Sequence, residues 1–470
     1  FKVYLMTNLF IFSNDLRLQD NEALYEASLN ADALEVVFLF SPNKWKLHNE
    51  SSLKIKFQLN NLEILKEQLE RLNINLKILK AESIEKEAEL IANEAEKINA
   101  KKVFINSEYG INEQKRDSKL KKILGDNKID FEIYDSSIID PKNIFTGSGT
   151  FFKVFTPYSR AFRAELNQDY LRLFPSPKKQ KEMISSSDEI PSFELNDAIK
   201  ENALKSYSAG EENAVNSLEN FINEKISNYK IERDFPSKDS TSKLSVYLSS
   251  GIISAKTCVV YLLKRLDDAP GTGQYSWFNE IIWREFYKYI IFHYPRVSMR
   301  KSFNEKYDSV EWRESEEDFD AWSKGETGFP IIDAAMKQLI TTGWMHNRLR
   351  MIVAMFLSKN LLVDWKKGEE FFMQNLIDGD HASNVGGWQW SASTGVDAAP
   401  YFRIFNPITQ SEKFDKDGVF LKKYLPNLST LTNKEIHNPD TQTRKNLNYP
   451  LPITDLSFSR KRAIEVFSKI

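Results

Sequence analysis

Residues 1–135 alternate between two hydrophobic periods. Short apolar runs at 9–12, 34–40, 76–79, 103–105 and 131–134 have the character of strands buried on both faces. Between them, residues 53–72, 84–98 and 113–124 place apolar side chains three and four apart, with Lys and Glu opposite, the pattern of helices lying on a core. Strand and helix in alternation predict an α/β, doubly wound parallel sheet of Rossmann-like type. Residues 136–205 lose the alternation and gain Pro, Ser and Lys, as in Pro175-Ser176-Pro177-Lys178-Lys179, and read as a connector. From about Ala209 onward helical spacing dominates. The expected organisation is an α/β domain over 1–135, a linker over 136–205 and a larger all-helical domain over 206–470, without internal repeats.

Doubly wound sheets often hold a dinucleotide at a glycine-rich first turn. Here that turn reads Ser13-Asn14-Asp15-Leu16-Arg17, and Gly110 and Gly125 are the only glycines in the stretch. The sheet is therefore not expected to bind a nucleotide in that way. No run of 18 or more apolar residues occurs, so no membrane span is expected. The opening FKVYLMTNLFIF reads as the approach to a buried strand, not as a secretory signal. The first methionine is Met6, and the first five residues are expected to lie outside the native start.

Composition narrows the class. Apolar residues make up 41% and aromatics 13%, enough for a large core. Lys+Arg number 64 against 66 Asp+Glu, for a net charge of −2, which excludes a polybasic binder but not a local basic groove. A single cysteine, Cys258, excludes a disulfide framework and a thiolate metal cluster and fits a reducing cytoplasm. Of five histidines no two have metal-ligand spacing, so no metal is expected.

The helical half concentrates the chemistry. Eight of the nine tryptophans lie between Trp277 and Trp390, as either a large aromatic core or a stacking surface for a flat ligand. Thr241-Ser242-Lys243-Leu244-Ser245 precedes an apolar-periodic segment at 246–263, where the hydroxyls act either as ordinary caps or as an anion site. In the predicted helix around 277–287, Glu280, Trp283, Arg284 and Tyr287 fall at i, i+3, i+4 and i+7. They form one face, too polar for a core stripe. In 343–351, Asn347, Arg350 and Met351 share a face and Arg348 points elsewhere. Asp378 is a carboxylate partner for a buried Arg350.

These segments, together with Trp283-Arg284-Glu285-Phe286-Tyr287, residues 378–406 and the opening Asn14-Asp15-Leu16-Arg17-Leu18-Gln19-Asp20-Asn21, resemble the photolyase/cryptochrome family essentially end to end. The closest likeness is to class I photolyases that repair cyclobutane pyrimidine dimers in DNA. The resemblance implies FAD folded within the helical domain. Tyr229 and Thr241, Ser242, Lys243, Leu244 and Ser245 would hold its phosphates. Trp277, Glu280, Arg284, Asn347, Arg350, Asp378, Gly379 and Asp380 would surround the rest, and Asn384 would face flavin N5. It implies a dimer flipped out of ultraviolet-damaged DNA and held by Trp283, Trp390, Glu280, Asn347 and Met351, with Arg284 and Tyr287 in the same DNA-facing set. Arg233, Arg348 and Arg403 would meet backbone phosphate. Trp388, Trp365 and Trp312 match the family's electron-transfer chain, used to reduce the cofactor by light.

Two readings follow from the resemblance: a repair lyase, and a cryptochrome-type light receptor without repair. Asn384, Met351 and the short stretch after the flavin domain favour repair. A dark flavin oxidoreductase lacks a visible nicotinamide site. The protein is expected to be soluble, cytoplasmic and monomeric. For a methenyltetrahydrofolate antenna, Asn112 and Glu113 match the family's Asn-Glu pair, but Met299 stands where the family carries a lysine. Weak folate binding is expected, unless Arg300 or Lys301 replaces that lysine.

Overall fold

The computed structural model describes residues 6–29, 31–265 and 269–470; the first five residues, whose native status the sequence questions, lie outside them. Five parallel strands, β1 (Thr7–Phe12), β2 (Ala33–Phe40), β3 (Asn75–Lys80), β4 (Ala100–Asn106) and β5 (Asp130–Tyr134), stand in the order β3-β2-β1-β4-β5. Successive side chains of a strand point to opposite faces, and β1 divides its residues accordingly. Leu9 and Ile11 pack on Ala88, Ile91, Ala95, Leu120 and Leu124 of helices Ile84–Lys97 and Ile111–Asp126. Phe10 and Phe12 join Leu24 and Phe57 of helices Glu22–Ala27 and Ser52–Arg71 in a second cluster, which runs on without a break into the helical half.

The loop after β1 joins the two halves. Arg17 is buried, donating from Nε and Nη2 to the Asp20 carbonyl and from Nη1 to the Gly251 carbonyl at 3.0 Å. Lys54 reaches the Gly379 carbonyl at 2.7 Å. The loop's shortage of glycine thus accompanies a docking role. It packs on the turn around Gly251. That turn also divides the apolar-periodic segment over 246–263 between two helices, Ser245–Ser249 and Ala255–Arg265.

The segment over 136–205 is tightly bound. Asp188 donates its N–H to the Leu76 carbonyl at 2.8 Å and accepts from the Ile78 N–H at 3.0 Å, covering edge strand β3 with a polar chain. The same segment contains helix Phe155–Glu165, which packs on the long helix Gly273–His293. Periodicity does not report this, because the partners of its polar groups are distant in sequence.

Gly251 has φ +65, and a Cβ there would collide with the Asn14 carbonyl. Gly251→Ala therefore combines backbone strain with a clash at the junction, and is expected to cost about 1–3 kcal/mol, read as a lowered midpoint in urea unfolding.

Candidate active site

Helix Gly273–His293 is started by Thr272, whose side chain accepts from the Tyr275 N–H, and is held on its apolar side by Phe278, Ile282 and Phe286. Its other side presents Trp277, Glu280, Trp283, Arg284 and Tyr287 to a cavity of about 530 Å³. Helix Asn347–Met355 faces it with Asn347, Arg348, Arg350 and Met351. Asp378, Asp380, Asn384, Trp388 and Trp390 close the floor, and Tyr229, Arg233, Thr241, Ser242, Lys243, Leu244 and Ser245 complete the wall. Segments far apart in sequence thus meet around one chamber whose lining mixes charged, hydroxyl and aromatic side chains.

Its charges are paired. Arg350 Nη2 donates to Asp378 Oδ2 at 2.8 Å and Oδ1 at 3.0 Å, and Arg350 Nε donates to the Met345 carbonyl at 2.8 Å. Arg284 donates to the Leu248 carbonyl at 2.9 Å and pairs with Asp380 at 3.4 Å. Burial alone would raise the Asp380 carboxyl, but Arg284, the Ser383 hydrogen bonds and Lys288 outweigh it and hold the group well below the ordinary carboxylate range. Glu280 Oε1 accepts from Arg233 Nη1 at 2.6 Å. Arg348, expected to point away, also lines the cavity and pairs with Asp234 at 2.9 Å.

Asn384 is oriented by Glu369. Its Nδ2 donates to both the Glu369 carbonyl and Oε1 at 3.0 Å, which leaves Oδ1 as its free acceptor. Arg300 Nε in turn holds Glu369 Oε2 at 2.8 Å. No periodicity or motif marks Glu369 or Arg300 for this role, because their link to Asn384 exists only between segments distant in sequence. Trp388 Nε1 is buried beside the cavity without a partner among the described residues. An orphaned donor, paired guanidiniums and a run of hydroxyls suit a large polar aromatic ligand with phosphates.

Four expected residues lie away from this cavity's wall. Gly379 lines a different cavity and offers its carbonyl to Lys54. Arg403 lies in a surface hollow that shares Arg348 and Asp234 with the main cavity. Trp365 is buried and Trp312 half-buried, both away from the cavity wall. Trp388 sits over Gly368 of the Trp365 helix, while its ring contacts are with Trp322 at 6.0 Å and Phe372 at 5.0 Å.

The second cavity, about 410 Å³, lies between the sheet and the helical half and carries Asn112, Glu113, His48, Met299 and Arg300. Glu113 meets Lys44 at 3.1 Å; burial would raise its carboxyl, but Lys44, His48 and Arg116 bring it down to about 2. Asn112 Nδ2 lies 3.1 Å from His48 Nε2. Arg300 is already committed to Glu369 and to the Lys366 carbonyl. Lys288 lines this cleft as well; it is one turn beyond Arg284 on the same helix, a spacing that marks it in the sequence. Ser249, Arg284 and Asp380 line both cavities.

Residues 277–469 match the family described as FAD binding domain of DNA photolyase, and residues 8–178 match DNA photolyase. The chain is 39% identical to the deoxyribodipyrimidine photo-lyase of Buchnera aphidicola, over 98% of this chain and 97% of the relative. It is 38% identical to that of Escherichia coli, over 98% of each. A bacterial class III photolyase from Agrobacterium tumefaciens superposes with TM-score 0.86 at 32% identity, over 99% of this chain and 98% of that one. A cryptochrome from Synechocystis shares the fold with TM-score 0.85 at 24% identity, over 98% of this chain and 99% of that one. The chain belongs to the DNA photolyase family. It is a flavoprotein whose cofactor is FAD, and the cavity's donors fit that group.

His346 caps the Asn347–Met355 helix by accepting the Arg348 N–H on Nδ1 at 3.1 Å. Burial lowers its imidazole to about 4 from an ordinary 6.5. The unfolded chain takes up a proton that the folded chain refuses, so stability is full above pH 6.5 and falls as the pH drops toward 4. The total loss is about 3 kcal/mol. His346→Asn keeps a capping acceptor and is expected to remove this pH dependence, measured by denaturant unfolding at pH 7 and pH 4.5.

Proposed function

We propose that the protein is a light-dependent DNA repair lyase that opens cyclobutane pyrimidine dimers, with the roles of its cavity residues assigned as follows. The observation that carries the reading is the meeting of Trp283, Trp390, Glu280 and Met351 with Asn384 in one chamber. Repair is preferred to the light-receptor alternative because the relatives at 38–39% identity are named photo-lyases, whereas the cryptochrome likeness speaks for fold alone. Photolyases take their lesion out of the duplex. Trp283 and Trp390 offer the flipped dimer two aromatic walls, and Met351 offers an apolar one. Asn347 and Glu280 meet its polar edge; with Oε1 held by Arg233, Glu280 keeps Oε2 for the lesion.

Tyr229, the hydroxyls of Thr241, Ser242 and Ser245, Lys243 and the Leu244 backbone would hold the FAD phosphates. Trp277, Arg284, Arg350, Asp378 and Asp380 would hold the remainder. Bound there, FAD would supply the light-driven electron transfer that opening a cyclobutane ring requires. Asn384 presents an uncharged acceptor to the ring system, which imposes no added charge on the reduced cofactor. The chain's own contribution is positioning and electrostatics. Arg233, Arg348, Arg403 and Tyr287 line the approach, so a few guanidiniums around one mouth bind phosphate on a chain of net charge −2.

Trp388, Trp365 and Trp312 relay electrons from the surface, a reading supported by their progression from cavity floor to core to partly exposed position. Trp322, in ring contact with Trp388, is the competing route. The enzyme works as a cytoplasmic monomer, consistent with a single buried cysteine whose thiol burial pushes up to about 12. Among the described residues no helix is long and apolar enough to cross a membrane.

Irradiating the purified protein with dimer-containing DNA should remove dimers in light and leave them in the dark. Glu280→Ala should lower repair severalfold while FAD content stays near wild type; loss of flavin would instead assign Glu280 to the cofactor.

The cleft with Asn112 and Glu113 is the antenna site, and folate is held weakly there, since Met299 provides no cation and Arg300 is spent on Glu369. Titration with methenyltetrahydrofolate should give uptake that gel filtration reverses, and Lys288→Met should weaken it further. Stoichiometric uptake that survives filtration would exclude a weak site.

A further inference from the structure

Phe155 lies in the segment that the sequence marks as a connector, outside the cavity that holds the lesion residues. Its ring is 3.7 Å from that of Trp283 with 5° between the planes, the closest ring pair among the described residues. Trp283 then meets Tyr287 at 5.6 Å and 34°. Tyr287 in turn lies so close to Gly386 that a Cβ there would collide with its ring. Phe155 thus backs one face of the Trp283 indole, and Tyr287, tilted beside that ring, packs against the backbone of helix His381–Ala392, which carries Asn384 and Trp390. Phe286 supports the pile from the side, 5.9 Å from Phe155 and 5.8 Å from Trp283.

A second link runs along the backbone. The Phe155 N–H donates to Asp397 Oδ2 at 3.0 Å. Asp397 has φ +47, a left-handed conformation that costs energy for a non-glycine residue and is kept where surrounding contacts impose it. Two residues on, the Ala399 N–H donates to the Trp390 carbonyl at 3.2 Å. Phe155 is therefore stacked on one aromatic wall of the chamber and tied through Asp397 to the loop that follows the other wall.

We propose that Phe155 is a positioning residue for lesion recognition: backed by its ring, the Trp283 indole is held at a set angle and distance from Trp390, so that the gap admits two joined pyrimidines in preference to stacked, undamaged ones. The proposal rests on the reading of Trp283 and Trp390 as the lesion's walls. An indole free to rotate would have to be ordered on each binding event, at an entropic cost. A pre-stacked indole has met that cost during folding. A leucine of similar bulk offers no flat face to fix the plane of the indole.

The test compares Phe155→Leu, Phe155→Tyr, Trp283→Ala and the double variant Phe155→Leu/Trp283→Ala as FAD-loaded proteins. Affinity is measured in the dark for a duplex carrying one defined thymine dimer and for the same duplex undamaged. Phe155→Leu is expected to lower the damaged-to-undamaged affinity ratio about tenfold, with FAD content and affinity for undamaged duplex unchanged. In light-driven repair its effect should fall on KM and spare kcat. Phe155→Tyr should restore the ratio, and in the Trp283→Ala background Phe155→Leu should have no further effect. If Trp283→Ala lowers the ratio and Phe155→Leu does not, the brace is overturned while the cradle stands. Equal loss in Phe155→Leu and Phe155→Tyr, or loss of FAD in Phe155→Leu, would make Phe155 core filling and overturn the proposal too. An unchanged ratio in Trp283→Ala would instead remove the cradle reading on which the proposal rests.

Discussion

Two guanidinium–carboxylate pairs, Arg350–Asp378 and Arg284–Asp380, make a polar chamber possible inside an apolar helical core. An unpaired charge in so sheltered a wall is costly, whereas a pair with its remaining hydrogen bonds satisfied is tolerated. Each arginine also donates to a backbone carbonyl, of Met345 or Leu248, so the pairs fix neighbouring backbone as well as each other. Replacing them by apolar residues of similar volume would fill the space, but it would remove the guanidinium donors from the cavity wall.

Helix Gly273–His293 distributes this arrangement. One turn carries Glu280, Trp283 and Arg284 toward the main chamber, and the next carries Lys288 toward the cleft against the sheet. Arg284 and Asp380 stand in the wall between the two. The cleft and the chamber are therefore adjacent through a single layer of side chains. Arg300 gives a second connection, from the cleft rim through Glu369 to the amide of Asn384.

The sheet half contributes attachment and half of the cleft. The loop after β1 seats on Gly251 and Ser250, and Lys54 reaches Gly379. The contacts of the loop after β1 come from the turn that in other doubly wound sheets holds phosphate. Here the same loop holds a second body of the protein.

The sequence alone determined the strands, the long helices and which residues share a face. Periodicity is a local property, set by 2.0 and 3.6 residues per repeat, and the facing of Glu280, Trp283, Arg284 and Tyr287 follows from it directly. The partnership of Arg350 with Asp378 was legible too, since a guanidinium in an apolar setting requires a carboxylate. Only the tertiary structure decided contacts between segments without a shared period. It turned Gly379 toward the cleft, brought Arg348 to the chamber, engaged Arg300 with Glu369 and split residues 246–263 at Gly251. It also drew Phe155 out of an aperiodic connector and set its ring against Trp283. Such contacts depend on the separation of helices in space, which is fixed when all the side chains between them pack together, and no window of sequence contains that distance.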